Sequence, residues 1–227
     1  PDAERLGEVL AQLHRAMADI WEVRPGSAAD WVELMQANLA HAASVEAESS
    51  EGSVLPVDAI AAAFQRAAAV RSAGADIRIH GDLHLAQVLK ADSGWKVLDF
   101  EGEPARRREE RVTRSSPLRD VAGMLRSLHY VAAVGVADWG SDDPEVLLLA
   151  EAWEERNREA FLAGYLGADA DAVALLPADA DDRLTLLAAF ELDKAVYEVL
   201  YELSHRPELV HVPLAGIRRL LPSEATR

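Results

Sequence analysis

Apolar residues recur at helical spacing through most of the chain, and the period changes once, near its middle. Leu6, Val9, Leu10, Leu13, Met17, Ile20 and Trp21 predict a helix over 3–21, with Asp2 placed to cap it. A second helix is expected over 31–45, where Asp30 and Glu33 make a capping-box-like start. Residues 44–56 are rich in Ser, Glu and Gly and read as an exposed loop. A third helix covers about 58–73. Alternation then replaces the helical period. Ile77-Arg78-Ile79 predicts a short strand, Gln87 to Lys90 a second and Trp95 to Phe100 a third. The turn Asp92-Ser93-Gly94 joins the last two into a hairpin.

Beyond Pro104 a polar loop runs to Ser116. Ser116-Pro117 opens a helix, with Ser as N-cap and Pro at the first helical position. Its buried stripe is Leu118, Val121, Ala122, Leu125, Leu128 and Ala132. Asp143-Pro144 opens another, running to about Tyr165, with Leu149, Trp153, Ala160, Phe161 and Gly164 inward and Gly167 ending it. A long helix over about 182–204 stops before Pro207, and Pro213 begins a short last one. The pattern predicts a mainly α fold with a small β-hairpin element. No repeat and no linker divides residues 1–227.

Half of the 227 residues are hydrophobic, enough to bury a sizeable core. The net charge of −16 argues against a nucleic-acid or anionic-membrane surface, which needs clustered Lys and Arg. The one basic cluster, Arg106 to Arg108, is followed at once by Glu109 and Glu110 and reads as a solvated loop. No apolar run approaches the ~20 residues of a membrane span. Cysteine is absent, so disulfides and thiolate metal sites are excluded.

The chemistry gathers where the period changes. Asp82 precedes the side-chain amide of Gln87 by five residues, and Asp99 follows at the end of an apolar run. Phosphoryl transfer from a nucleotide to a hydroxyl needs this equipment. One carboxylate, Asp82, orients the attacking hydroxyl and accepts its proton. The amide oxygen of Gln87 and the carboxylate of Asp99 hold Mg²⁺ against the phosphates. This spacing matches the kinase catalytic loop and its later metal-binding Asp. Gln is longer than the usual Asn, so the geometry must differ. Glu101 either shares the metal or acts as a structural acceptor. His80 packs and hydrogen-bonds to hold the loop. His84 contacts either the substrate or the loop backbone. His80, Asp82 and His84 also have the look of a zinc set, but magnesium accounts for more residues. On the late helix Phe190, Lys194, Tyr197 and Tyr201 share one face, flanked by Asp193 and Glu198. Spacing alone favours a core stripe with snorkelling charges there; a sugar-contacting wall is the other reading.

Four runs carry a resemblance: HGDLHLAQVL at 80–89, VLDFEGEP at 97–104, SPLRDVAGMLRS at 116–127 and ELDKAVYEVLYELSHRP at 191–207. Together and in order they resemble the actinobacterial maltokinases, relatives of the aminoglycoside phosphotransferases and of protein kinases. The helix at 3–21 is similar to the segment that follows that family's interlobe connection. Ala86 departs from the pattern, where Gly is expected. The resemblance implies the C-terminal lobe of a protein-kinase-like fold over residues 1–227. It implies ATP and Mg²⁺ as cofactors, and phosphorylation of maltose to maltose 1-phosphate by a cytoplasmic enzyme of glycogen biosynthesis.

The resemblance also assigns roles. Asp120 would accept backbone hydrogen bonds from the catalytic loop. Asp193, Lys194, Tyr197 and Tyr201 would contact the sugar, with His84. A related kinase acting on another sugar, such as glucosamine, or a non-catalytic sugar-sensing module fits the same runs. Pro1 is not a plausible start, and none of the three lysines, Lys90, Lys96 and Lys194, lies on a strand before the loop. The expected partners are therefore a small-molecule sugar and an N-terminal lobe of the same protein, without nucleic acid or membrane.

Overall fold

The computed structural model describes residues 2–48, 55–100, 114–139 and 143–221. They form two compact units, one spanning Pro1–Gly26 and Gly74–Ala178, the other Ser27–Ala73 and Asp179–Arg227.

In the first unit α1 (Asp2–Ile20) packs along α5 (Pro144–Ala168), and α5 also meets α4 (Leu118–Trp139). The α1–α5 crossing is close because both faces carry glycine. A Cβ on Gly7 would run into the Phe161 carbonyl, and one on Gly164 into the Glu4 carbonyl. Leu6, Leu10, Met17, Phe161 and Tyr165 fill the seam. Strand β2 (Ala75–Arg78) is the centre of an antiparallel sheet, between β1 (Arg24–Pro25) and β5 (Arg114–Ser115). Ala75, Ile77 and Ile79 are buried, with Ala18 and Leu175 against them. Strands β3 (Val88–Ala91) and β4 (Gly94–Val97) make a separate hairpin in which Val88 faces Val97 and Ala91 faces Gly94. A short α6 (Ala170–Val173) is capped by Asp169.

The second unit holds α2 (Ala28–Glu48), α3 (Val57–Ala68), α7 (Ala180–His205) and α8 (His211–Leu220). Buried carboxylates take backbone N–H groups on either side of α3: Glu46 accepts from the Leu55 N–H, and Asp182 from the Arg71 and Ser72 N–H groups. Asp179 caps α7.

Several expectations are corrected. The β structure is more than one hairpin, because β1 and β5 are two residues long and leave no alternation to read. The third strand stops at Val97 rather than Phe100, since Asp99 takes a left-handed backbone conformation, φ 61°. Asp2 lies inside α1 and binds Lys90, and Ser27 Oγ rather than Asp30 receives an N–H in the first turn of α2. Ser116 and Asp143 do cap their helices. Ile20 and Leu149 are each 70% exposed, and Trp21 and Trp153 are also on the surface, not inward. Leu147, Leu148 and Leu149 are consecutive, and a helix cannot turn three successive side chains to one side. Among the described residues no helix is long and apolar enough to cross a membrane.

Candidate active site

The chain leaves β2 through the buried Ile79 and turns at Gly81, φ 87°, a conformation that suits glycine. Two successive N–H groups then point at one carboxylate. His80 N donates to Asp120 Oδ2 at 2.7 Å and Gly81 N to Asp120 Oδ1 at 2.9 Å. Asp120 stands in the first turn of α4 and is buried. His14 of α1 lies with Nε2 3.1 Å from Asp120 Oδ2, and its Nδ1 is 2.7 Å from the Tyr165 hydroxyl. Burial pushes the Asp120 carboxyl up, but chiefly the His14 hydrogen bond and charge, with the Gly81 N–H, outweigh it and hold it below the usual carboxylate range.

The His80 ring ties the two ends of the loop together. Its Nε2–H donates to the Leu98 carbonyl at 2.7 Å, and the Asp82 N–H donates to Nδ1 at 3.3 Å. Both bonds fit the neutral tautomer with its proton on Nε2. The Phe100 ring packs against it, centroids 5.0 Å apart. With both nitrogens engaged, His80 is removed as a zinc ligand. Further along, Leu85 N donates to Ser127 Oγ at 2.9 Å. Gly123 lets α4 come up to the loop, because a Cβ there would meet the Leu83 carbonyl.

Gln87 and Asp99 meet on this scaffold. The Gln87 amide donates to Asp99 Oδ2 at 3.0 Å, and Leu98 N donates to the Gln87 carbonyl at 2.9 Å. Asp99 holds its left-handed backbone at a cost of about 1–2 kcal/mol. Rotating the amide by half a turn would replace its NH₂ with Oε1. The pair then offers two adjacent hard oxygen donors, a set that fits Mg²⁺. Among the described residues there is no group of three or more His, Cys, Asp or Glu able to hold a metal. Glu101 lies outside the described residues. Asp82 and His84 are half-buried beside the pair in sequence.

The late-helix residues belong to the second unit. Along α7 their face runs from buried to exposed. Phe190 is buried against Trp31, Lys194 and Tyr197 are half-buried, and Tyr201 is exposed. Lys194 Nζ sits 4.6 Å from the Tyr197 ring centroid, and Tyr201 stacks on His205 at 4.4 Å. Asp193 is buried and accepts from Asn38 Nδ2 at 2.8 Å.

No family model matches the chain. It is 33% identical to a glucosamine kinase of Streptacidiphilus jiangxiensis over 226 residues, 97% of this chain and 49% of that protein. It is 31% identical to the glucosamine kinase of Mycolicibacterium smegmatis, over 95% of this chain and 52% of that protein. A glucosamine kinase solved in complex with glucosamine, ADP and inorganic phosphate superposes with a TM-score of 0.81 at 32% identity. That match covers 97% of this chain and 51% of the other. The chain thus spans about half the length of the glucosamine kinases it matches.

These matches overturn the maltokinase resemblance: the similar proteins are glucosamine kinases, and maltose and glycogen biosynthesis find no support. They also overturn the description as a C-terminal lobe of aminoglycoside phosphotransferase type, since the chain superposes along 97% of its length on a glucosamine kinase fold. A separate N-terminal lobe as partner is likewise unsupported. The physical reason is that a catalytic Asp, an amide and a metal-binding Asp serve phosphoryl transfer to any hydroxyl. The runs that carry them do not report the acceptor.

Sequence reasoning missed His14, Tyr165, Ser127 and Asn38. Only His14 left a signal, a polar residue in line with Leu10 and Met17 on the apolar face of α1. The others act through partners 42 to 155 positions away.

Proposed function

We propose that the protein is an ATP-dependent sugar kinase whose acceptor is glucosamine. The observations that support the reading are the Asp82-bearing loop strung on Asp120 and the Gln87–Asp99 pair, in a chain similar to glucosamine kinases along nearly all its length. A sugar hydroxyl attacks the γ-phosphorus of ATP. The new O–P bond forms as the bond to the β–γ bridging oxygen breaks, and ADP leaves. The hydroxyl proton passes to the Asp82 carboxylate. Mg²⁺, when bound, supplies charge that neutralises the phosphates, and Gln87 and Asp99 would hold it, with Glu101 as a further candidate. His80 keeps Asp82 and Asp99 in register through its two ring bonds. On α7, Tyr197 and Tyr201 offer aromatic faces of the kind that stack on a sugar ring, and Asp193 and Lys194 offer polar contacts; His84, on the catalytic loop, is a polar candidate of its own. The strongly acidic chain suits a cationic amino sugar better than a neutral disaccharide.

A coupled ADP-release assay on the intact protein with glucosamine, glucose and maltose tests this. Turnover is expected with glucosamine. Asp82→Asn should lower kcat by roughly 10²–10⁴-fold with little change in the sugar KM. Asp99→Ala should abolish turnover at ordinary magnesium concentrations. No ADP release with any of the three sugars, or near-normal kcat in Asp82→Asn, would sink the reading.

A further inference from the structure

The loop that carries Asp82 and Gln87 is held by α4 at three points. Asp120 takes the His80 and Gly81 N–H groups at its start. The Leu83 carbonyl rests where Gly123 has no side chain, and Leu83 itself is buried. Ser127 Oγ accepts the Leu85 N–H at 2.9 Å, and both residues are half-buried. Asp120, Gly123 and Ser127 stand at i, i+3 and i+7, so they lie along one face of the helix. The first two contacts lie on either side of Asp82. The third lies beyond it and serves a different residue.

Leu85 opens a single 3₁₀ turn, Leu85–Gln87. A turn this short holds itself poorly. Its internal bonds run from Gln87 N to the His84 carbonyl, at 2.9 Å, and from Val88 N to the Leu85 carbonyl. The N–H at its start has no acceptor within the turn. His84, in the capping position, is extended and its side chain does not cap. The Ser127 hydroxyl does so from another helix, 42 positions away. At the other end the turn is tied to the hairpin, where the Leu98 N–H donates to the Gln87 carbonyl. Gln87 is thus gripped on both sides, and its side-chain amide meets Asp99. Release at Leu85 would free Gln87 on one side, while Asp82 would keep its contacts through Asp120 and Gly123.

We propose that Ser127 is a positioning residue for Gln87, capping the Leu85–Gln87 turn from α4 so that the amide stays beside Asp99, where the pair would hold magnesium. The magnesium role rests on the kinase reading; the capping rests on geometry alone.

The test uses the intact protein with Ser127→Ala, which removes the acceptor and keeps a good helix former. Exchange of the Leu85 amide should quicken on the order of tenfold, the worth of one net hydrogen bond. The His80 and Gly81 amides should not move. Titrating Mg²⁺ at fixed ADP, followed by the Gln87 side-chain NH₂ resonances, should show binding weakened about 10- to 100-fold, the size expected when the partner that orients a metal ligand is lost. In turnover the Mg²⁺ needed for half the maximal rate should rise by the same factor. The glucosamine KM should hardly change, and kcat should recover at saturating Mg²⁺. Ser127→Thr keeps the hydroxyl and should behave as the wild type. An unchanged Leu85 exchange rate or an unchanged Mg²⁺ titration in Ser127→Ala would overturn the proposal. So would a loss of kcat that excess Mg²⁺ does not repair, or a Thr variant as impaired as the Ala variant. If the wild type transfers phosphate to no sugar, the kinase reading fails by itself, and Leu85 exchange with the Gln87 resonances still decides the role of Ser127.

Discussion

Asp120 accepts hydrogen bonds from two loop amides and from His14 while shut away from water. That arrangement sets a pH dependence. The folded carboxyl is held below its ordinary value, so its contribution to stability is full above the unfolded carboxylate range and is lost as pH falls through the folded value. The loss begins near pH 4 and grows toward lower pH. Asp120→Asn should lower stability at pH 7 by about 1–3 kcal/mol, the cost of a weakened buried acceptor. Melting curves from pH 7 to pH 3 should show the gap between variant and wild type shrinking below pH 4. A gap that stays constant with pH would mean that Asp120 does not carry its charge in the folded state. At this scale the sequence was legible as residue types at spacings, not as partners. Asp82, Gln87 and Asp99 stood out because phosphoryl transfer calls for them in that order. Tyr165 and Asn38 were invisible, since a polar residue on an otherwise ordinary helix gives no sign of what it meets 151 or 155 positions away.

Elements were legible where a long stripe or a cap defined them, and illegible where packing did. The helices starting at Leu118 and Pro144 announce themselves through Ser116 and Asp143. The two-residue strands at Arg24 and Arg114 exist only because β2 lies between them. The α1–α5 crossing is the sharpest case. Gly7 and Gly164 look like weak points in two helices, yet each is where the other helix's backbone sits. Gly164→Ala would improve intrinsic helix propensity by about 1 kcal/mol in isolation. Here the added methyl meets the Glu4 carbonyl, and overpacking of this kind costs about 1–3 kcal/mol. Because its cause is backbone rather than a mobile side chain, the clash should prevail. Urea denaturation should show a lower midpoint for Gly164→Ala with an unchanged slope, and a raised midpoint would refute the close crossing. Gly167→Ala is the control: a Cβ there meets nothing within 4 Å.

The whole molecule adds a field that no single contact shows. A net charge of −16 on 227 residues surrounds any ligand with negative potential. An amino sugar carries a positive charge when its amine is protonated, whereas glucose does not. The proposed acceptor should therefore bind with a salt dependence that its neutral analogue lacks. Isothermal titration of glucosamine into this chain at pH 6.5, at low and at physiological salt, should show the dissociation constant rising about two- to fivefold, the equivalent of a charge interaction of roughly 0.5–1 kcal/mol. Glucose, if bound at all, should give the same value at both salts. Equal salt responses for the two sugars would remove the ammonium group from recognition. The aromatic faces and hydroxyl-bonding groups of α7 would then be left to choose the sugar by shape. That outcome would leave Asp82 and the Gln87–Asp99 pair untouched, because the proposed function assigns the acceptor preference and the phosphoryl transfer to different residues.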